Sequence, residues 1–250
     1  MTSPTERLIA MEGCFNFRDL GGYRGIDGRT LRWGRLFRAD GLHHLTDADR
    51  VRLEKLDIRT VLDLRSRGEL DEHGQLSWPG RRFDLRNLAM MDVLPETDEF
   101  NGTWATSEGV SGQYLSILAG AAPAITDALD ALNDPVTYPV VMHCMAGKDR
   151  TGILAALVLG LLGVADGDIV ADYALSTEAM ERMVAHQRRR HPERAAELEA
   201  SAAAMIHAEP ATMVAFLAGL RAEHSSFEGY AAFLGRPDAG PVLRNLLLES

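Results

Sequence analysis

Residues 151–164, TGILAALVLGLLGV, are apolar at nearly every position. A helix built from them has no face to offer water and must lie inside a core. The wholly apolar run, residues 153–165, is well short of the ~20 residues a membrane span needs, so a buried core helix is the expectation. Just before it, residues 136–143 form a second apolar segment of strand length. A buried strand feeding a buried helix belongs to α/β architecture, in which helices cover both faces of a sheet.

The rest of the chain fits that alternation. Residues 32–40, RWGRLFRAD, alternate like a strand, and Thr46 and Asp47 offer caps for a helix over 47–56. Residues 58–66, IRTVLDLRS, are β-branched and leucine-rich, predicting another buried strand. Residues 81–90 predict a further strand, 91–112 a long loop, 111–133 a helix broken near Pro123, and 166–177 a capped helix. Residues 178–224 read as two or three helices punctuated by Pro192 and Pro210. No repeat or Ser/Gly linker marks a boundary, so one domain over 1–250 is expected.

Between the two apolar segments lies HCMAGKDRTG, residues 143–152. A loop that leaves a strand and enters a helix turns successive backbone N–H groups into one concavity, where the helix dipole adds positive potential. Small Ala146 and Gly147 let the backbone wrap closely, and Arg150 offers a planar fork of donors to phosphate oxygens. Cys144 stands at the floor of this anion cradle. Such surroundings favour thiolate over thiol, so one loop both activates a sulfur nucleophile and holds the dianion it attacks. A nucleotide P-loop does not fit, because Met142 occupies the position of its first glycine and Asp149 follows the lysine where Ser or Thr is required.

HCMAGKDRTG resembles the cysteine-x5-arginine loop of protein tyrosine phosphatases, and its Lys-Asp pair before the arginine is similar to the bacterial atypical lipid phosphatases. NFRDLGGY (16–23), GRLFRADGLHHLT (34–46), VLDLRSRGEL (61–70) and DYALS (172–176) resemble further blocks of that family in the same order. The resemblance covers most of residues 12–180. It implies a mostly parallel central sheet flanked by helices, with C-terminal helices over about 180–224 forming a lid. It also implies metal-independent, cofactor-free hydrolysis of phosphotyrosine, phosphoserine, phosphothreonine or phosphoinositides through a cysteinyl-phosphate. Carried over by position, Cys144 is the nucleophile, Arg150 holds the equatorial oxygens, and Met145, Ala146, Gly147, Lys148 and Thr151 complete the phosphate site. Thr151 would hydrogen-bond the thiolate, and Lys148 would face larger anionic head groups.

The general acid is the least determined member. The better-known tyrosine phosphatases take it from a Trp-Pro-Asp loop, whereas this chain has Trp78-Pro79-Gly80. The resemblance makes Asp149 the candidate, with Asp63 and Asp92 as alternatives; Asp63 also reads as a structural partner for Arg65 or Arg18. Adjacent His43 and His44 diverge and have no third ligand nearby, so a surface or capping role is expected. His143 would orient the loop, and the block 16–19 followed by Gly21-Gly22 reads as a buttress beside the site. Met183, Met205, Ile206, Met213, Val214 and Phe216 suit either packing on the domain or a removable cover.

With 26 basic against 36 acidic residues, a net of −10, nucleic acid is not the expected partner and no stable membrane anchor is expected. Cys14 and Cys144, 130 positions apart, match no disulfide framework; a reducing, cytoplasmic setting is the simplest reading, although leaderless export would leave no trace. A reversible bridge between the two thiols under oxidation is chemically allowed but is not the expected state. Two other functions share parts of this pattern: a catalytically idle phosphate-binding module and a rhodanese-like sulfurtransferase. Intact Cys144, Arg150 and Asp149 count against the idle module, and the Arg150-Thr151-Gly152 continuation favours phosphate over sulfur transfer.

Overall fold

The computed structural model describes residues 7–91, 106–194 and 207–250. Four strands run parallel: β3 (Leu36–Ala39), β4 (Thr60–Asp63), β5 (Asp84–Asn87) and β6 (Val140–His143). A short β1 (Arg18–Asp19) pairs antiparallel with β3, giving the spatial order β1-β3-β6-β4-β5. A separate ribbon joins β2 (Thr30–Leu31) to β7 (Leu248–Glu249). This is the mostly parallel α/β sheet expected from the sequence. Along β6, Val140 and Met142 enter the larger core while Val141 enters a second core on the opposite face with Phe37 and Val61. That two-residue period is why the strand reads as continuously apolar: both faces are covered.

The register sets the site. Ala39 and Asp63 both pair with His143, and Asp63 pairs with Asn87, so the strands end level with one another. The chain leaves central β6 at Cys144, flanked by the ends of β3 and β4. Open α/β sheets bind ligands outside such C-terminal ends.

Helix α1 (Asp47–Lys55) is capped by Thr46, and α2 (Arg67–His73) by Ser66; each has a reciprocal capping box. The helix expected over 111–133 is two, α3 (Ser107–Gly120) and α4 (Ala122–Leu132), bent by 74°. The break falls at Ala121, so that Pro123 sits in the first turn of α4, where a missing N–H costs nothing. The strand expected from 136 begins only at Val140, because Asp134 caps a 3-10 turn over Pro135–Thr137. The core helix α5 (Asp149–Leu161) starts two residues earlier than its apolar run suggests and is buried from Arg150 onward.

Helix α6 (Asp166–Ala174) is followed by α7 (Ser176–Arg190), α8 (Pro210–His224), α9 (Phe227–Phe233) and α10 (Ala239–Leu247). The second half of the stretch expected as a lid, α8, buries Met213, Phe216 and Leu220 and packs on α3 and α6, while Val214 is exposed. On α7, Met183 is half-buried. Met205, Ile206 and the alternative acid Asp92 lie outside the described residues. No single described helix is long and apolar enough to cross a membrane.

Candidate active site

The loop of residues 144–148 follows from strand–helix geometry, and its carbonyls are tied back one after another. The Cys144 carbonyl accepts from His143 Nδ1 at 3.1 Å, Met145 from the Gly41 N–H at 2.9 Å, Ala146 from Asn16 Nδ2 at 3.0 Å and Gly147 from Arg38 Nη2 at 2.6 Å. A peptide unit with its carbonyl held outward presents its N–H inward. Accordingly, the N–H groups of Met145, Ala146 and Gly147 bond no described residue. Gly147 has φ +67°, and a Cβ there would lie 2.3 Å from the Ala39 carbonyl oxygen. Only glycine passes so close to β3 in that conformation.

Two of the tethers, Arg38 directly and Asn16 through Arg18, trace back to one anchor. Arg18 and Arg38, both fully buried, straddle the Asp172 carboxylate of α6: Arg18 Nε at 2.9 Å from Oδ1 and Arg38 Nη1 at 2.6 Å from Oδ2. Burial pushes the Asp172 carboxyl upward, but the two guanidiniums outweigh it and hold it at about 2. Asn16 and Arg18 belong to the 16–19 block, so that block contacts the loop directly, as a buttress would. Arg38 and Asp172 carry no sequence signal of this role.

Arg150, in the first turn of α5, gives both terminal nitrogens to Glu69 of α2, at 2.6 and 2.7 Å. Burial opposes the charge on Arg150, but Glu69 more than offsets it and the net shift is upward; the Glu69 carboxyl is correspondingly low, burial notwithstanding. Of the five guanidinium N–H donors, two are engaged there and the rest remain for an anion. Ser66-x-x-Glu69 is legible as a capping box, and Glu69 Oε2 does accept from Ser66 N at 2.7 Å. Its second role, aligning Arg150, is invisible without the fold. Glu69→Gln keeps a capping partner and removes the aligning charge; we expect kcat/KM on an aryl phosphate to fall on the order of 10²-fold. Steady-state kinetics check this, and an unchanged kcat/KM would mean Arg150 is aligned without the carboxylate.

Asp149 Oδ1 accepts from Tyr114 Oη at 2.5 Å, and Lys148 Nζ lies 3.5 Å from the same oxygen. The Lys148 side chain is buried against this carboxylate rather than extended into solvent. Asp63 is committed elsewhere: Arg65 Nη2 lies 2.6 Å and His143 Nε2 3.5 Å from its Oδ2. Burial raises this carboxyl, yet Arg65 holds it below the usual range. It is thus the partner of Arg65 and not of Arg18, and it backs the histidine that precedes Cys144. Burial pushes the His143 ring down, against the upward pull of Asp63.

Thr151 Oγ1 is buried and has no hydrogen-bond partner among the described residues, so the expected bond to sulfur is not formed in this structure. Cys144 and Cys14 are both buried free thiols, and Cys14 donates to Asp40 Oδ1 at 2.7 Å. Trp78 packs against Phe83 and Arg81. His44 is exposed, and half-buried His43 lies 3.2 Å from Arg65. Among the described residues, no group of three or more His, Cys, Asp or Glu side chains is placed to hold a metal ion.

A family model described as the tyrosine phosphatase family matches residues 9–249. The triple specificity protein phosphatase PtpB of Mycobacterium tuberculosis is 34% identical over 202 residues, 69% of this chain and 70% of that protein. A Cupriavidus necator protein provisionally named a tyrosine-protein phosphatase is 34% identical over 194 residues, 68% of this chain and 63% of its own length. A tyrosine-protein phosphatase of Nostoc commune is 32% identical over 144 residues, 58% of this chain and 49% of that protein.

Proposed function

The chain belongs to the tyrosine phosphatase family, and from that premise we propose that it cleaves phosphate monoesters through a phosphoryl group carried on Cys144. It is an enzyme, a phosphoric monoester hydrolase. In the first step the Cys144 thiolate attacks phosphorus, the ester P–O bond breaks, and the leaving oxygen takes a proton from Asp149. In the second, water attacks the cysteinyl-phosphate, Asp149 accepts the proton of that water, and the S–P bond breaks to return the thiolate. The inward amides of 145–147 and the free donors of Arg150 match the three oxygens of a phosphoryl group in flight. The Thr151 hydroxyl, buried without a partner, is available to stabilise departing sulfur.

The observation that carries this reading is the run of four consecutive carbonyls held away from the sulfur by four different groups. A phosphate cradle needs that arrangement, and a packing loop does not. The name of the mycobacterial relative speaks of triple specificity; here phosphotyrosine, phosphoserine, phosphothreonine and phosphoinositides are all proposed substrates. The test is a denaturing quench during turnover of an aryl phosphate with chelator present, followed by mass spectrometry. A phosphoryl adduct on the Cys144 peptide is expected. Turnover without that adduct would refute the covalent route, and a persulfide formed from thiosulfate would point to sulfur transfer instead. Parallel assays on phosphopeptides and phosphoinositides rank the substrates.

A further inference from the structure

Three elements converge on the Asp149 carboxylate. Asp149 opens α5, Tyr114 comes from α3, and Tyr173 comes from α6. Tyr114 Oη lies 2.5 Å from Asp149 Oδ1 and 2.8 Å from Tyr173 Oη. Both rings are fully buried. Tyr114 meets Tyr173 and Phe216 edge-on, with centroids 6.2 and 6.0 Å away, so its ring is packed by both. Tyr173 passes so near the start of α5 that a Cβ on Gly152 would stand 3.2 Å from its ring. Glycine at 152 therefore admits the second tyrosine.

A carboxylate has no proton to give, so the donor order is Tyr173 to Tyr114 to Asp149. All described contacts fall on Oδ1, and Oδ2 accepts no hydrogen bond among the described residues. We propose that Tyr114, seated by Tyr173, is a positioning residue for acid–base catalysis: by occupying Oδ1 it confines the transferable proton to Oδ2. This inference rests on the acid–base role of Asp149 proposed above. In the first step the proton moves from Oδ2 to the leaving oxygen as the P–O bond breaks; in the second, Oδ2 takes a proton from the attacking water. Tyr114 keeps its own proton throughout. Burial, and then the neighbouring Asp149 charge, push its ionisation far above the ordinary tyrosine range. Lys148 and Arg150 also face Asp149, but both come from its own segment, and neither fixes the carboxylate plane as a buried hydroxyl does.

The test compares Tyr114→Phe, Asp149→Asn and the double variant on two monoesters, an alkyl phosphate with a poor leaving group and an activated aryl phosphate. Only the alkyl ester depends strongly on a proton donor. For Tyr114→Phe, kcat on the alkyl ester should fall about tenfold, while kcat on the aryl ester changes about twofold or less and KM stays level. The double variant should be no slower on the alkyl ester than Asp149→Asn alone. Equal losses of kcat on both esters, or additive losses in the double variant, would overturn the inference and leave Tyr114 as packing. If Asp149→Asn itself fails to discriminate between the esters, the acid–base reading of Asp149 falls and the inference with it. Should Tyr114→Phe not fold, Tyr173→Phe removes the outer hydroxyl alone. It should give a smaller loss with the same leaving-group selectivity, and an unselective loss would count against the proposal.

Discussion

Cys144→Ser is expected to lower kcat on an aryl phosphate by at least about 10⁴-fold while leaving the affinity for inorganic phosphate within a few fold of wild type. The serine oxygen replaces sulfur without moving the loop, because no carbonyl tether involves the side chain of residue 144. What changes is the proposed nucleophile: a hydroxyl is un-ionised at neutral pH, and the proposed first step uses Asp149 to protonate the leaving oxygen, so no base is assigned to activate a serine. Groups that bind the anion are untouched, including Arg150 on Glu69. Steady-state kinetics with phosphate as competitive inhibitor separate the two effects. Loss of phosphate affinity in proportion to kcat would mean that sulfur holds the cradle open, and the tethers would then not suffice. Retention of more than about 1% of the activity would move the nucleophile elsewhere.

The sequence makes local features legible and leaves long-range pairing dark. Capping boxes at Thr46 and Ser66, the two-faced strand through Val141 and the all-apolar α5 each depend on residues a few positions apart, which is what periodicity reports. Cys144, Gly147 and Arg150 lie in one loop and can be read together. The groups that shape that loop are far away in sequence: Asn16 bonds a carbonyl 130 positions on, Arg38 one 109 positions on, and Glu69 meets Arg150 across 81 positions. Nothing in the order of residues pairs them. Arg18, Arg38 and Arg65 are each buried on a carboxylate, and for Arg18 and Arg38 that carboxylate, Asp172, lies more than 130 positions away. Tyr114 and Tyr173 are core aromatics, and only the fold brings the Tyr114 hydroxyl to Asp149 and the Tyr173 hydroxyl to Tyr114. The Asp63 ambiguity is resolved in the same way, since its partner could be Arg65 or Arg18 by composition, and the end of β4 brings it to Arg65 and His143.

Asp172→Asn is expected to destabilise the protein by about 3–5 kcal/mol at pH 7, the cost of leaving a buried charge without its counterpart. The case is sharper than for an ordinary ion pair, because one carboxylate serves both Arg18 and Arg38, and Tyr23 Oη reaches Oδ1 at 3.3 Å. Burial pushes Arg38 down, as does Arg18 beside it, and Asp172 is what counters both. With the carboxyl held at about 2 in the folded state against an ordinary 3.8, its ionisation contributes on the order of 2 kcal/mol of stability. The sign follows from the depressed value: the contribution is whole above about pH 4, about half gone by pH 3, and lost as pH falls through 2. A protonated Asp172 resembles asparagine, so the gap between wild type and variant should narrow over that window. Urea unfolding from pH 7 down to the lowest pH at which the wild type stays folded measures it; a gap under 1 kcal/mol at pH 7, or one that does not narrow on acidification, would contradict the argument. Because Arg38 also holds the Gly147 carbonyl, kcat of Asp172→Asn should drop even where the variant is fully folded, through a loop whose amides no longer converge.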